Sequence, residues 1–176
     1  RYTPITRVND APVQVRDPYT GKASEPKNFE KAGFDGAITL RQALTRSKNT
    51  VSARLIEDVT VDGLITMARK AGIKAELPQS LTLCLGTGEV TMLEIANAYA
   101  TIHSQGQSAE PIIIRKVSRR KEGGAEQVLM AREAAFEQTI SPAIAYLTTS
   151  LMRSVVEEGT AVAVLELGRP AAGKTG

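Results

Sequence analysis

Aromatic residues are scarce: they make up 4% of the 176 residues, and tryptophan is absent. A platform that stacks nucleic-acid bases needs several exposed rings, so this composition argues against a nucleic-acid partner. The single cysteine, Cys84, has no partner for an internal disulfide, and with the single histidine, His103, it cannot build a zinc site. Uncharged apolar runs fall far short of the roughly 18 residues that span a bilayer. Charge of one sign is also in short supply, with 22 basic against 19 acidic residues and a net charge of +3. The densest basic run, Arg115-Lys116 with Arg119-Arg120-Lys121, lacks interleaved aromatics and reads as a solvated turn between two strands. What remains is ordinary globular material, 42% hydrophobic and 23% charged. That excludes a disordered tail, a collagen-like fibre and a disulfide scaffold, and the length suits one medium domain or a large piece of a bigger one.

Residues 1–38 are rich in Pro, Asp, Asn and Gly and read as irregular, with one or two short extended pieces. From Thr39 the texture is helical. Thr39 can cap a short helix carrying Leu40, Ala43 and Leu44, and a second helix follows with Val51, Leu55, Ile56 and Val59 on one face. A third covers about 61–71, with Gly72 where a left-handed C-cap belongs. Leu81, Leu83 and Leu85 alternate, which predicts an extended stretch ending in the Gly86-Thr87-Gly88 turn, with Cys84 as a small buried side chain. Thr91 and Glu94 form a capping box for a helix whose apolar face is read as Leu93, Ala96, Tyr99 and Ala100, with His103 favouring the dipole at its end. Glu89 reads as part of the entry to that helix. Strands are expected over 112–117 and 127–130, around Glu122-Gly123-Gly124. Ser141-Pro142 opens a helix to about Glu158, with Ile144, Leu147, Leu151 and Val155 on one face, and a short helical piece is expected over 160–166. Helices 51–59, 91–104 and 144–156 should form the core, and Lys174-Thr175-Gly176 looks like the opening of a strand.

Two short motifs carry chemistry: Ser47-Lys48-Asn49 between two predicted helices, and Lys174-Thr175-Gly176 on the expected strand. Each alone is weak, since Ser and Asn commonly cap helix ends. In this order they are two of the three motifs of serine acyltransferases that act on D-alanyl peptides. Further segments agree, among them Thr3-Pro4, Asp10-Ala11-Pro12-Val13, Pro26-Lys27-Asn28-Phe29, Thr39-Leu40-Arg41-Gln42-Ala43-Leu44, Leu85-Gly86-Thr87-Gly88-Glu89-Val90-Thr91, Ala98-Tyr99-Ala100-Thr101, Val155-Val156-Glu157-Glu158-Gly159-Thr160 and Gly168-Arg169-Pro170. Along essentially its whole length the chain resembles the transpeptidase domain of bifunctional (class A) penicillin-binding proteins.

The resemblance implies a fold of α/β (α+β) class, a helical subdomain beside a mixed antiparallel sheet, with the site between them. It implies a serine that attacks the penultimate D-alanine carbonyl of a stem peptide, an acyl-enzyme, and cross-linking by a neighbouring amine. β-Lactams would acylate the same serine. Within this pattern Ser47 would relay a proton toward the leaving group and Asn49 would hold the substrate amide. Lys174 would place positive charge over the cleft, Thr175 would bind the substrate carboxylate, and Gly176 would let substrate backbone approach. Lys48 is grouped with the substrate-binding residues, but its side chain is expected to point away into solvent. No cofactor and no metal are implied.

The third motif, Ser-x-x-Lys on one turn of a helix, has two matches here, Ser24-Glu25-Pro26-Lys27 and Ser118-Arg119-Arg120-Lys121. The first lies among loop formers and the second in a charged hairpin, so neither suits a nucleophile whose lysine must be partly desolvated. The expectation is therefore a partial domain over 1–176, with the nucleophile segment upstream as its missing partner and further strands after Gly176. Its parent would act outside the cytoplasmic membrane, anchored by an upstream helix. The alternatives are a non-catalytic domain of this fold that binds peptidoglycan peptides or a partner, and a related serine β-lactamase.

Overall fold

The computed structural model describes residues 2–19, 21–28 and 33–176. Phe29, quoted above in a family-like segment, lies outside them. The chain runs β1 (Arg7–Asp10), β2 (Val15–Arg16), β3 (Ala23–Ser24), β4 (Gly36–Thr39), α1 (Leu40–Thr45), α2 (Asn49–Val59), α3 (Val61–Lys70) and α4 (Met92–His103). It continues with β5 (Gln107–Ala109), β6 (Lys116–Arg120), β7 (Glu126–Ala131), β8 (Phe136–Gln138) and α5 (Pro142–Glu158). Helices stand beside small antiparallel sheets, as expected. The single mixed sheet is not formed among the described residues: the strands pair as four two-stranded ribbons, β1 with β4, β2 with β3, β5 with β8 and β6 with β7. Residues 171–176 likewise lie outside any ladder, and the Gly173 amide turns instead to the Met152 carbonyl of α5 at 3.4 Å.

Local signals fix the helix ends. The Thr39 hydroxyl accepts from the Gln42 amide while the Gln42 side chain accepts from the Thr39 amide, a full capping box for α1. Thr91 and Glu94 do the same for α4. The Glu94 carboxylate also accepts from the amides of Lys74 and Ala75 at 2.8 and 2.7 Å. Bonds from the Thr91 amide and hydroxyl, then from those two amides, hold its pKa at about 2. Gly72 has φ +101° and closes α3 as a left-handed cap. The Ser141 hydroxyl caps α5, with Pro142 at the first helical position.

Three expectations need correction. Leu81–Leu85 is a 3-10 turn, not an extended stretch. Ser80 caps it, Leu83 and Gly86 donate three residues back, and Leu83, not the whole alternating set, is buried. Cys84 is half-buried. The apolar face of α4 is rotated from the one expected, with Leu93 and Tyr99 exposed and Ala98 and Thr101 buried, and that of α5 holds only in its second half: Ile144 and Leu147 are exposed, Leu151 is half-buried and Val155 is fully buried. Where the two helices meet, the small side chains Ala98 and Ala145 pack with Ala71 and Ile140. The first hairpin strand starts at Lys116, beyond the apolar run over 112–114, while the second, Glu126–Ala131, covers the 127–130 expected.

Among the described residues the core is four clusters, not one. Ile38, Ala43 and Val51 join β4, α1 and α2. Ile56, Val61 and Leu83 join α2, α3 and the 3-10 turn. Val155, Val156 and Ala161 hold Ala171 and thereby the approach to the C-terminal strip. Arg41 fastens α1 to α5, donating from its guanidinium to the Ser150 carbonyl at 2.8 Å and the Ser154 hydroxyl at 2.7 Å.

Candidate active site

A cleft of about 600 Å³ opens between the junction of α1 and α2 on one side and residues 174–176 on the other. Leu40, Leu44, Val51, Leu55 and Leu151 give it an apolar floor, and Cys84 stands at its rim. Ser47, Asn49, Lys174, Thr175 and Gly176 supply its polar lining.

Ser47 is placed by the way α1 ends. The Lys48 amide donates to the Ala43 carbonyl at 2.9 Å and the Ser47 amide to the Leu44 carbonyl at 3.1 Å. These two bonds are a Schellman motif, and Ser47 sits at its left-handed position with φ +54°. Glycine is the usual occupant; a residue with a side chain there costs about 1–3 kcal/mol and is a mark of functional sites. The turn delivers the hydroxyl into the cleft and starts α2 two residues later.

Lys48 overturns its expectation. Its side chain is 1% exposed, with the ammonium 2.9 Å from Asp35 and 3.4 Å from Asp10. Asp10 is fully buried at the end of β1, and its carboxylate also accepts from the Thr50 hydroxyl, the Asn28 amide group and the Asp35 backbone amide. Burial alone would raise the Asp10 pKa; the bonds from Thr50, Asp35 and Asn28 and the Lys48 charge outweigh it and lower the value. The hydrogen bonds from Lys48 and then Arg46 lower that of Asp35. The middle residue of the triplet thus ties the helix junction to β1 and to the loop before β4. Asn49 is tied to the same region, giving one amide N–H to the Lys27 carbonyl at 2.9 Å.

Across the cleft the Lys174 ammonium donates to the Ser47 hydroxyl at 2.9 Å, to the Thr175 carbonyl at 2.8 Å and to the Thr175 hydroxyl at 3.3 Å. Burial lowers its pKa. Residues 127 positions apart in sequence therefore meet in one bond. The Thr175 hydroxyl is also 2.7 Å from that of Thr160, just beyond α5. Gly176 lines the open end of this strip. The two Ser-x-x-Lys matches are not helical: Ser24 is in β3 and Ser118 in β6. Among the described residues no group of three or more His, Cys, Asp or Glu is placed to hold a metal ion.

The structure places Ser47, Asn49, Lys174, Thr175 and Gly176 along one cleft. Sequence reasoning missed Asp10 and Thr160. Asp10 lies in one of the family-like segments, and a buried Asp facing the triplet's lysine was a pairing that could have been sought there. Thr160 read as no more than a helix end.

A polar strip with a half-buried lysine thus faces a serine held in a strained turn, over an apolar floor. Residues 6–176 match the family model described as the penicillin-binding protein transpeptidase domain. The chain belongs to that family. Penicillin-binding protein 1A of Neisseria lactamica is 41% identical over 180 residues, covering 99% of this chain and 22% of that protein. The Pseudomonas aeruginosa penicillin-binding protein 1A is 30% identical, covering 99% of this chain and 27% of its own length. The chain thus spans about a quarter or less of the length of these relatives, which bear out the class A resemblance. The crystal structure of penicillin-binding protein 1A from Haemophilus influenzae has the same fold, with a TM-score of 0.82 at 23% identity over 94% of this chain and 29% of that one. A D,D-transpeptidase domain from Eggerthella lenta aligns over 99% of this chain and 48% of its own, with a TM-score of 0.75 at 22% identity. A Mycobacterium tuberculosis penicillin-binding protein solved in complex with penicillin V aligns over 88% of this chain and 42% of its own, with a TM-score of 0.73 at 24% identity.

Proposed function

We propose that these residues form two walls of the active site of a peptidoglycan D,D-transpeptidase, which cross-links stem peptides through a serine acyl-enzyme and is acylated by β-lactams. The observation that carries the reading is the Lys174–Ser47 bond, which joins the two family motifs across an apolar cleft. The nucleophile is assigned to a Ser-x-x-Lys segment outside these 176 residues, because neither match within the chain is helical and both of their serines lie on strands.

In the acylation step the nucleophilic serine passes its hydroxyl proton to the lysine of its own Ser-x-x-Lys segment as its oxygen bonds to the penultimate D-alanine carbonyl carbon, and the bond from that carbon to the terminal D-alanine nitrogen breaks. The departing nitrogen needs a proton. Ser47, already accepting from Lys174, keeps its own hydroxyl proton to give and can be re-protonated through the lysine. The second N–H and the carbonyl of the Asn49 side chain hold the substrate amide. The terminal carboxylate lies against Thr175, whose neighbour Lys174 brings positive charge into a low-dielectric pocket where it acts strongly. Gly176 lets the peptide backbone lie close to the strip. The Lys48 ammonium, committed to Asp10 and Asp35, holds the triplet in place and does not reach the substrate.

The family and the Neisseria and Pseudomonas relatives support action on the cell wall, outside the cytoplasmic membrane. No helix among the described residues is long and apolar enough to cross a membrane; a membrane anchor elsewhere in the parent polypeptide is part of the proposal. The test is peptide mapping of that polypeptide after reaction with benzylpenicillin. The adduct is expected on a serine outside residues 1–176; an adduct on Ser24, Ser118 or another residue of this chain would overturn the assignment.

A further inference from the structure

The strip at 174–176 ends on two hydroxyls in contact, those of Thr160 and Thr175, 2.7 Å apart. Either could donate, and the direction decides what the cleft offers an anion. A hydroxyl has one proton to give and two lone pairs to receive. Thr175 already receives one bond, from the Lys174 ammonium at 3.3 Å. If Thr175 gives its proton to Thr160, it presents the cleft with no donor. If Thr160 gives its proton to Thr175, both lone pairs of Thr175 are filled and its proton must point elsewhere, into the cleft.

We propose that Thr160 is the donor, and that it fixes the Thr175 hydroxyl as a hydrogen-bond donor to a ligand carboxylate. This rests on the reading of Thr175 as the carboxylate-binding residue. Two bonds into one oxygen polarise its O–H and strengthen what it donates. Thr160 is held where this requires it. Its amide donates to the Thr45 carbonyl at 3.3 Å, and Gly159 packs so tightly that an added Cβ would lie 2.3 Å from that same oxygen. The end of α5 is thereby locked to the last turn of α1, the turn that also delivers Ser47. Thr160 touches no ligand in this arrangement; it is a specificity-determining residue that acts through Thr175.

The test uses the parent polypeptide with its acylatable serine, and two probes, benzylpenicillin and its methyl ester, which lacks the charged carboxylate. Acylation rate constants are measured for the native protein, Thr160→Val and Thr160→Ser. The native protein is expected to prefer the acid. Thr160→Val should slow acylation by the acid about threefold to tenfold, the loss of one ordinary hydrogen bond, and leave the ester unchanged. Thr160→Ser should restore the preference. An equal loss on both probes, or no loss on either, overturns the proposal while the reading of Thr175 stands. Absence of any acid preference in the native protein overturns that reading and this proposal together.

Discussion

The two walls of the cleft are held by different physics. The wall at 47–49 is anchored from behind by a buried ionic knot: Asp10 has no exposed surface, and the Lys48 side chain is 1% exposed. The wall at 174–176 is anchored from the front, by the bonds of Lys174 to Ser47 and of Thr175 to Thr160, with Ala171 packed on Val155 and Val156. A buried charge pair is costly to break because the partner left behind cannot be resolvated. Side-chain bonds at a cleft surface break cheaply, since water replaces them. One wall therefore serves as a fixed reference, and the other is defined largely by what it touches across the gap.

The contrast sets the order of the mutational effects. Lys48→Met should have the largest, about 3–5 kcal/mol, by leaving the buried Asp10 carboxylate without its cation while Asp35 keeps only Arg46; urea unfolding of the chain would read it, and a loss below about 1 kcal/mol would show the knot to be unimportant. Gly159→Ala comes next, at about 1–3 kcal/mol, the usual cost of overpacking, because its Cβ would meet the Thr45 carbonyl at 2.3 Å. Acid comes third. Asp10 and Asp35 both titrate below their ordinary value of 3.8 in the folded chain. Their contribution to stability is complete above that pH and is lost as pH falls through the lowered values. The unfolding free energy should therefore fall below about pH 4, and Lys48→Met should lessen that fall. Thr175→Val should be smallest, within about 0.5 kcal/mol, since its bonds lie at the cleft surface; a larger loss would mean that the front wall is structural as well.

The readable parts of the sequence were the local ones. Thr39, Thr91 with Glu94, Gly72 and Ser141-Pro142 each name a helix end, because a cap is satisfied within a few residues of chain. The two motifs were readable as a resemblance and land in one cleft. The fate of Lys48 was not readable, because its partners Asp10 and Asp35 lie on separate elements and only the folded chain brings them near. The leucines at 81, 83 and 85 mimic strand alternation, but Ser80 and Gly86 at either end convert the segment to a 3-10 turn. Hydrophobic bulk misled on α4 and the first half of α5, where Ala98 and Ala145 are packed and Leu93, Tyr99, Ile144 and Leu147 face outward, whereas Val155 in the second half of α5 is buried as read. The segment closing at Lys174-Thr175-Gly176 reads as the opening of a strand, but a strand also needs a neighbour to bond, and here Gly173 bonds to α5 and Lys174 to Ser47.

The central claim is that Ser47 and Lys174 work as one unit across the cleft. It is tested most directly by penicillin acylation rates of the parent polypeptide carrying Ser47→Ala, Lys174→Ala and both. The account predicts that each single change slows acylation strongly and that the double change costs little more than the worse single one, as for residues sharing one interaction. Losses that simply multiply, or a single change with no loss, would contradict it.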